Sequence, residues 1–173
     1  MRRHRIRALI AVLIAVILQT TVFPRPFGAS PNLVMLVAIG IGLYMDPELA
    51  VVSGFVGGFL NDLLGNTILG LWALVITVVA YGASQYRRQA EGNLIRMILG
   101  IFALTIAGQI LFGIVGTLFG QGFLADTSLV IGVLLTGVLS LMLAVLVLPL
   151  VSRLVAGGRW FALVGPGPER AIW

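Results

Sequence analysis

Ser53-Gly54-Phe55-Val56-Gly57-Gly58-Phe59-Leu60-Asn61-Asp62-Leu63-Leu64-Gly65-Asn66-Thr67-Ile68-Leu69-Gly70 is the stretch on which the reading of this chain turns. On a helix, Gly54, Gly58 and Asp62 recur every four residues and share one face. Gly57 and Asn61 make a neighbouring row. In lipid there is little hydrophobic force between helices, so glycine faces serve close backbone packing. The row therefore expects Asp62 along a helix–helix contact and not against acyl chains. An ionisable group there is costly unless it is hydrated or hydrogen-bonded. Two readings of Asp62 follow. In one it satisfies backbone donors at the Gly65–Thr67 turn, or pairs with Arg25. In the other it is a proton, ion or substrate site, although no second acid or buried base accompanies it.

The setting of that stretch is apolar throughout. The chain has 173 residues, of which 60% are hydrophobic and 10% charged, with a mean hydropathy of +1.12. Soluble domains carry roughly a quarter charged residues, so this chain lacks the polar surface to face water. At roughly 20 residues per span, its length holds about five to seven crossings and little else. No cysteine is present, which removes disulfides and thiolate chemistry. The net charge of +5 does not point to nucleic acid, because the arginines flank apolar runs and pave no face.

Six apolar runs can be delimited. The first, Ile6 to Phe23, follows Arg2, Arg3, Arg5 and Arg7 and resembles a signal sequence, with Gly28-Ala29-Ser30 as a conceivable cleavage site. The run exceeds a usual signal core and Pro31 follows directly, so an uncleaved span is expected. Ser30-Pro31 and Asp46-Pro47 each set a capping side chain before a proline at the first helical position. They open a second run at 31–45 and a third at 47–64. Both are short, since about 15 residues rise only about 22 Å against a hydrocarbon core near 30 Å. Two spans or a re-entrant hairpin buried in protein would each accommodate them.

Asn66-Thr67 opens a fourth run through Tyr86, closed by the basic stretch Arg87 to Asn93. The fifth run is Leu94–Gly120. Asp126-Thr127 caps the sixth, Ser128–Leu154, with a kink expected at Pro149.

Orientation follows from the arginines. Six spans put Arg2, Arg3, Arg5, Arg7, Arg87, Arg88, Arg96, Arg153, Arg159 and Arg170 on one side, with only Arg25 on the other. Both termini are therefore expected in the cytoplasm. A re-entrant hairpin at runs two and three leaves that bias intact. The expected fold is an all-α, six-span transmembrane bundle over 1–155 with an irregular cytoplasmic tail over 156–173.

Other polar residues within spans are Gln19, Thr20, Thr21, Thr77, Thr105, Gln109, Thr136 and Ser140. Threonine and serine bond back to their own helix, so most need no further role. Gln109 lies mid-span beside Gly108, where an interhelical hydrogen bond is expected. His4 is the only histidine, and the glycines match neither a P-loop nor a dinucleotide fingerprint. The six acids form no carboxylate pair on one helix. No catalytic constellation, metal site or cofactor is implied.

The sequence resembles the MreD family, small membrane subunits of the bacterial rod-shape machinery. The likeness rests on a basic start leading to Leu18-Gln19-Thr20-Thr21, then Pro31-Asn32, Gly54-Phe55-x-x-Gly58-x-x-x-Asp62-Leu63 and Leu69-Gly70-Leu71-x-Ala73-Leu74. The family commonly has Pro-Asp where this chain has Pro31-Asn32. The resemblance implies a non-enzymatic, multi-pass protein of the bacterial inner membrane. It would bind MreC and help couple MreB filaments to a glycosyltransferase and transpeptidase that insert peptidoglycan. It also implies a fold similar to the substrate-binding subunits of energy-coupling-factor vitamin transporters. A transporter subunit is the alternative, with Ala8, Ala11 and Ala15 giving the first span a small face for docking on a coupling subunit. Gly54, Gly58, Asp62 and Gly70 match the family motif, and Gly57, Asn61 and Gln109 join them as packing or interaction candidates.

Overall fold

A computed structural model describes residues 2–22, 32–65, 68–90, 93–120 and 128–156. They form six helices and no strand: α1 (Arg2–Val22), α2 (Leu33–Tyr44), α3 (Pro47–Leu64), α4 (Leu71–Ala90), α5 (Leu94–Leu118) and α6 (Ser128–Ala156). The all-helical expectation is met. Two stretches, Ile95–Leu118 and Leu135–Leu154, are each long and apolar enough to cross a membrane.

The arrangement is a ring about an axle. Helices α1, α3, α4, α5 and α6 touch in that order, α6 returns to α1, and all five touch α2. Every residue of α2 is buried. Its sequence permits this, because apart from the Tyr44 hydroxyl its side chains carry no polar group that needs water. At 12 residues α2 rises only about 18 Å, less than the hydrocarbon thickness. Gly42 lets it approach α4: a Cβ there would fall 2.5 Å from the Ala80 carbonyl oxygen.

Helix α1 turns small residues inward and large ones outward. On α1, Ala8, Ala11, Val12, Ala15 and Val16 are buried, while Ile6, Leu9, Ile10, Leu13, Ile14, Ile17 and Leu18 are exposed. For α1 this reverses the usual orientation of a water-soluble helix, whose large aliphatics turn inward. It also corrects the docking role considered for the Ala8, Ala11 and Ala15 face. That face is buried in the chain's own bundle.

Several helix starts differ from the expected ones. Helix α2 begins at Leu33 with Asn32 as its cap; Ser30 and Pro31 lie outside the described residues. Helix α4 begins at Leu71 and not at Asn66-Thr67, and it continues past Tyr86 to Ala90, taking Arg87 and Arg88 into its last turn. Pro47 does stand first in α3, and Pro149 lies inside α6. Asp46 is the N-cap residue of α3 but makes no side-chain cap bond. Arg25, Gly28-Ala29-Ser30, Asp126-Thr127 and the tail beyond Ala156 lie outside the described residues.

Candidate functional site

The glycine row on α3 packs directly on the backbone of α4. A Cβ on Gly58 would sit 2.5 Å from both Ala73 Cα and the Trp72 carbonyl oxygen. One on Gly54 would meet Ala80 Cβ at 3.0 Å and the Ile76 carbonyl oxygen at 3.1 Å. These contacts run in opposite directions along the two helices, so α3 and α4 are antiparallel. The neighbouring Gly57 faces elsewhere: its added Cβ would fall 2.8 Å from Val12 Cγ1 of α1 and 3.0 Å from Val34 Cγ1 of α2. The two rows let α3 wedge between three helices at once.

Asp62, one turn beyond Gly58, lies on the same face and is 3% exposed. Its carboxylate accepts hydrogen bonds from the backbone amides of Gly70 at 3.0 Å, Trp72 at 3.1 Å and Ala73 at 3.1 Å. The residue before α4 is Gly70, with φ +93°, a left-handed value that glycine adopts without strain. Glycine has no side chain with which to cap, so the first turn of α4 would leave its amides without acceptors. Asp62 supplies the missing cap from the preceding helix. A negative group at a helix N-terminus also meets the positive end of the helix dipole. The chain thus binds the end of α3 to the start of α4, across a sequence separation of up to eleven positions.

These partners lie farther on than the Gly65–Thr67 turn named from the sequence. Gly65 donates to the Asn61 carbonyl oxygen instead, at 3.0 Å. Asn66, Thr67 and Arg25 lie outside the described residues.

Beside this clamp, Trp72 stacks on Phe112 of α5, with centroids 4.1 Å apart and planes at 22°. The Trp72 indole Nε1 is buried without a hydrogen-bond partner. A second inter-helix clamp closes the start of α2. Asn32 Oδ1 accepts from the Met35 amide at 3.0 Å, and Gln19 Oε1 of α1 accepts from the Leu33 amide at 2.6 Å. Sequence reasoning placed Gln19 among ordinary span polars and chose Ser30 as the cap. The available signal was Asn32 itself, a strong N-cap residue directly before an apolar run.

Of the candidates, the structure brings Gly54, Gly58, Asp62 and Gly70 into one α3–α4 contact, with Gly57 on the adjoining face. Asn61 is half-buried beside Asp62. Gln109 stands apart on α5, half-buried, and forms no interhelical hydrogen bond among the described residues. Next to it, Gly108 does pack closely, its added Cβ falling 2.7 Å from Met35 Sδ of α2. Thr20, Thr77 and Thr105 bond back to their own helices, as expected. The cluster therefore fastens helices together and presents no nucleophile–base pair.

Residues 3–155 match the family model described as rod shape-determining protein MreD. No curated protein and no solved structure matches the chain.

Proposed function

This chain belongs to the MreD family of rod shape-determining proteins, and we propose that it is a non-enzymatic scaffold of the bacterial elongation machinery. In this reading it crosses the inner membrane six times with both termini in the cytoplasm. It binds an MreC-like membrane protein and helps link MreB-type filaments to the glycosyltransferase and transpeptidase that extend peptidoglycan. The family match over nearly the whole chain carries the proposal. The architecture supports it in kind, because three of its polar side chains, Asp62 among them, are spent on helix ends. Asp62, Gln19 and Asn32 all accept backbone amides. A packed bundle with an aliphatic exterior suits a protein that acts by holding neighbours in place.

Affinity capture of the tagged chain from its own cells, after brief crosslinking, tests the partner claim. Recovery of an MreC-like protein well above a control membrane protein is expected. Capture without it would remove the scaffold reading. The transporter alternative loses its motivating feature, since the alanine face of α1 is buried within the chain.

A further inference from the structure

Phe102, Ile106, Gln109 and Gly113 follow one another at intervals of four, three and four residues, so they line one side of α5. The first half of that line is covered by α6. A Cβ on Gly137 would meet Ile106 Cγ1 at 3.3 Å and Phe102 Cε2 at 3.4 Å. The nine residues joining the two helices are too few to run back along the roughly 37 Å of α5, so α5 and α6 are antiparallel. Farther along α5 the cover ends. A Cβ on Gly113 would meet nothing within 4 Å. Its neighbours Ile110 and Ile114 are 50% and 44% exposed. Gln109 is half-buried there and makes no hydrogen bond among the described residues. The sequence that precedes Gly137 on α6, Leu129 to Leu135, holds no residue type with a hydrogen-bonding side chain.

An amide in that place is a hydrogen-bonding group set in hydrocarbon. Gln109 is the sixteenth of the 25 residues of α5, roughly 5 Å from its midpoint. Water does not reach the middle of a bilayer, so an amide left unpaired there is costly. A lipid chain would fill the gap at Gly113 and leave the amide unpaired. The chemistry of the amide names a better occupant. Glutamine carries a carbonyl acceptor and an NH2 donor, so two glutamines facing each other across a twofold axis satisfy one another. The bilayer holds two copies of this chain in the same orientation, which sets equal depths side by side. Gly113, one turn from Gln109, lets the two backbones come close. We propose that a second copy of this chain docks here, α5 against α5, with the two Gln109 amides hydrogen-bonded at the seam. The proposal rests on the membrane-embedded reading above and does not depend on the elongation partners.

The lack of native cysteine supplies the test. Single cysteines replace Gly113, Ile110 and two exposed residues on other helices, Phe55 and Val145. Each full-length variant is oxidised with copper phenanthroline in proteoliposomes at low protein density. Gly113→Cys and Ile110→Cys should form disulfide-linked dimers, and Phe55→Cys and Val145→Cys should not. Resonance energy transfer between differently labelled copies, followed as added lipid dilutes them, gives the dimer constant. Gln109→Leu should weaken it about tenfold through the loss of two interhelical hydrogen bonds, and Gln109→Asn, which keeps an amide, should weaken it less. Gln109→Leu should leave the SDS unfolding midpoint unchanged or raised, because the amide bonds nothing among the described residues. A lowered midpoint would place Gln109 in the fold of the single chain and overturn the proposal. So would a dimer constant unmoved by Gln109→Leu, a chain monomeric at every density, or equal crosslinking at all four cysteines. Crosslinking of Gly113→Cys in native membranes to a different polypeptide, and not to itself, also overturns it and assigns the seam to a partner. Failure of the membrane reading registers separately, as protein recovered from the soluble fraction before reconstitution.

Discussion

Removing the Asp62 carboxylate should loosen the α3–α4 contact by an amount that its bonds allow to be worked out. Asp62→Ala leaves the amides of Gly70, Trp72 and Ala73 without their shared acceptor. Trp72 and Ala73 are buried, so water does not readily replace it. A buried donor left unsatisfied costs ~1–3 kcal/mol, and two such donors cost ~2–6 kcal/mol. The lost charge at the helix end adds ~0.3–1 kcal/mol. A destabilisation of about 4 kcal/mol is therefore expected for alanine. Asn keeps one carbonyl oxygen, which can serve Gly70 and Ala73 together or Trp72 alone, and turns its NH2 toward the remaining amide. Its cost should be about 2 kcal/mol. Reversible unfolding by SDS in mixed micelles gives the order wild type, Asn, Ala, and hydrogen exchange over residues 70–73 locates the loss. If Asp62→Ala unfolds at the wild-type midpoint with its amides still protected, the clamp is not what holds α4 to α3.

Gly58→Ala should cost about 2–3 kcal/mol and Gly57→Ala about 1 kcal/mol, because the first strikes backbone and the second only movable valine side chains; the same SDS titration ranks them. Asn32→Ala should cost ~1 kcal/mol as a lost N-cap, while Asn32→Asp, which keeps the acceptor and adds charge at the helix N-terminus, should be neutral or stabilising. Tyr44→Phe should be neutral or stabilising by up to ~1 kcal/mol, since the hydroxyl it removes is buried without a partner. The absence of native cysteine makes topology directly readable. Single cysteines at Glu48 and Gln89 should resist a membrane-impermeant maleimide in intact spheroplasts, whereas those at Leu69 and Phe119 should react. The opposite labelling would reverse the orientation.

The sequence made the face of Asp62 legible and left its partners hidden. A four-residue spacing fixes which side of a helix Gly54, Gly58 and Asp62 share, whatever lies opposite. The donors depend on the path of the α3–α4 connection, and that path turns on the positive φ of Gly70. Local reading assigned the start of α4 to Asn66-Thr67 because caps are usually supplied by the nearest polar residue. Here the cap comes from another helix, so no local pattern could show it.

The central place of α2 was written in its composition, twelve residues with no polar face, but a short apolar run is equally the mark of a short span. Its burial is decided by the five helices around it. The alanine face of α1 misled for a related reason: spacing reveals a close contact, and does not say whether the partner is internal or external.

Controlled depletion of this chain in its own cells, with cell width and the position of new wall synthesis followed by microscopy, tests the scaffold claim most directly. The account predicts that rods widen and round as the protein is lost, that wall insertion disperses, and that wild-type protein restores both better than Asp62→Ala at equal expression. Cells that keep normal width and normal patterns of wall insertion after full depletion would contradict it.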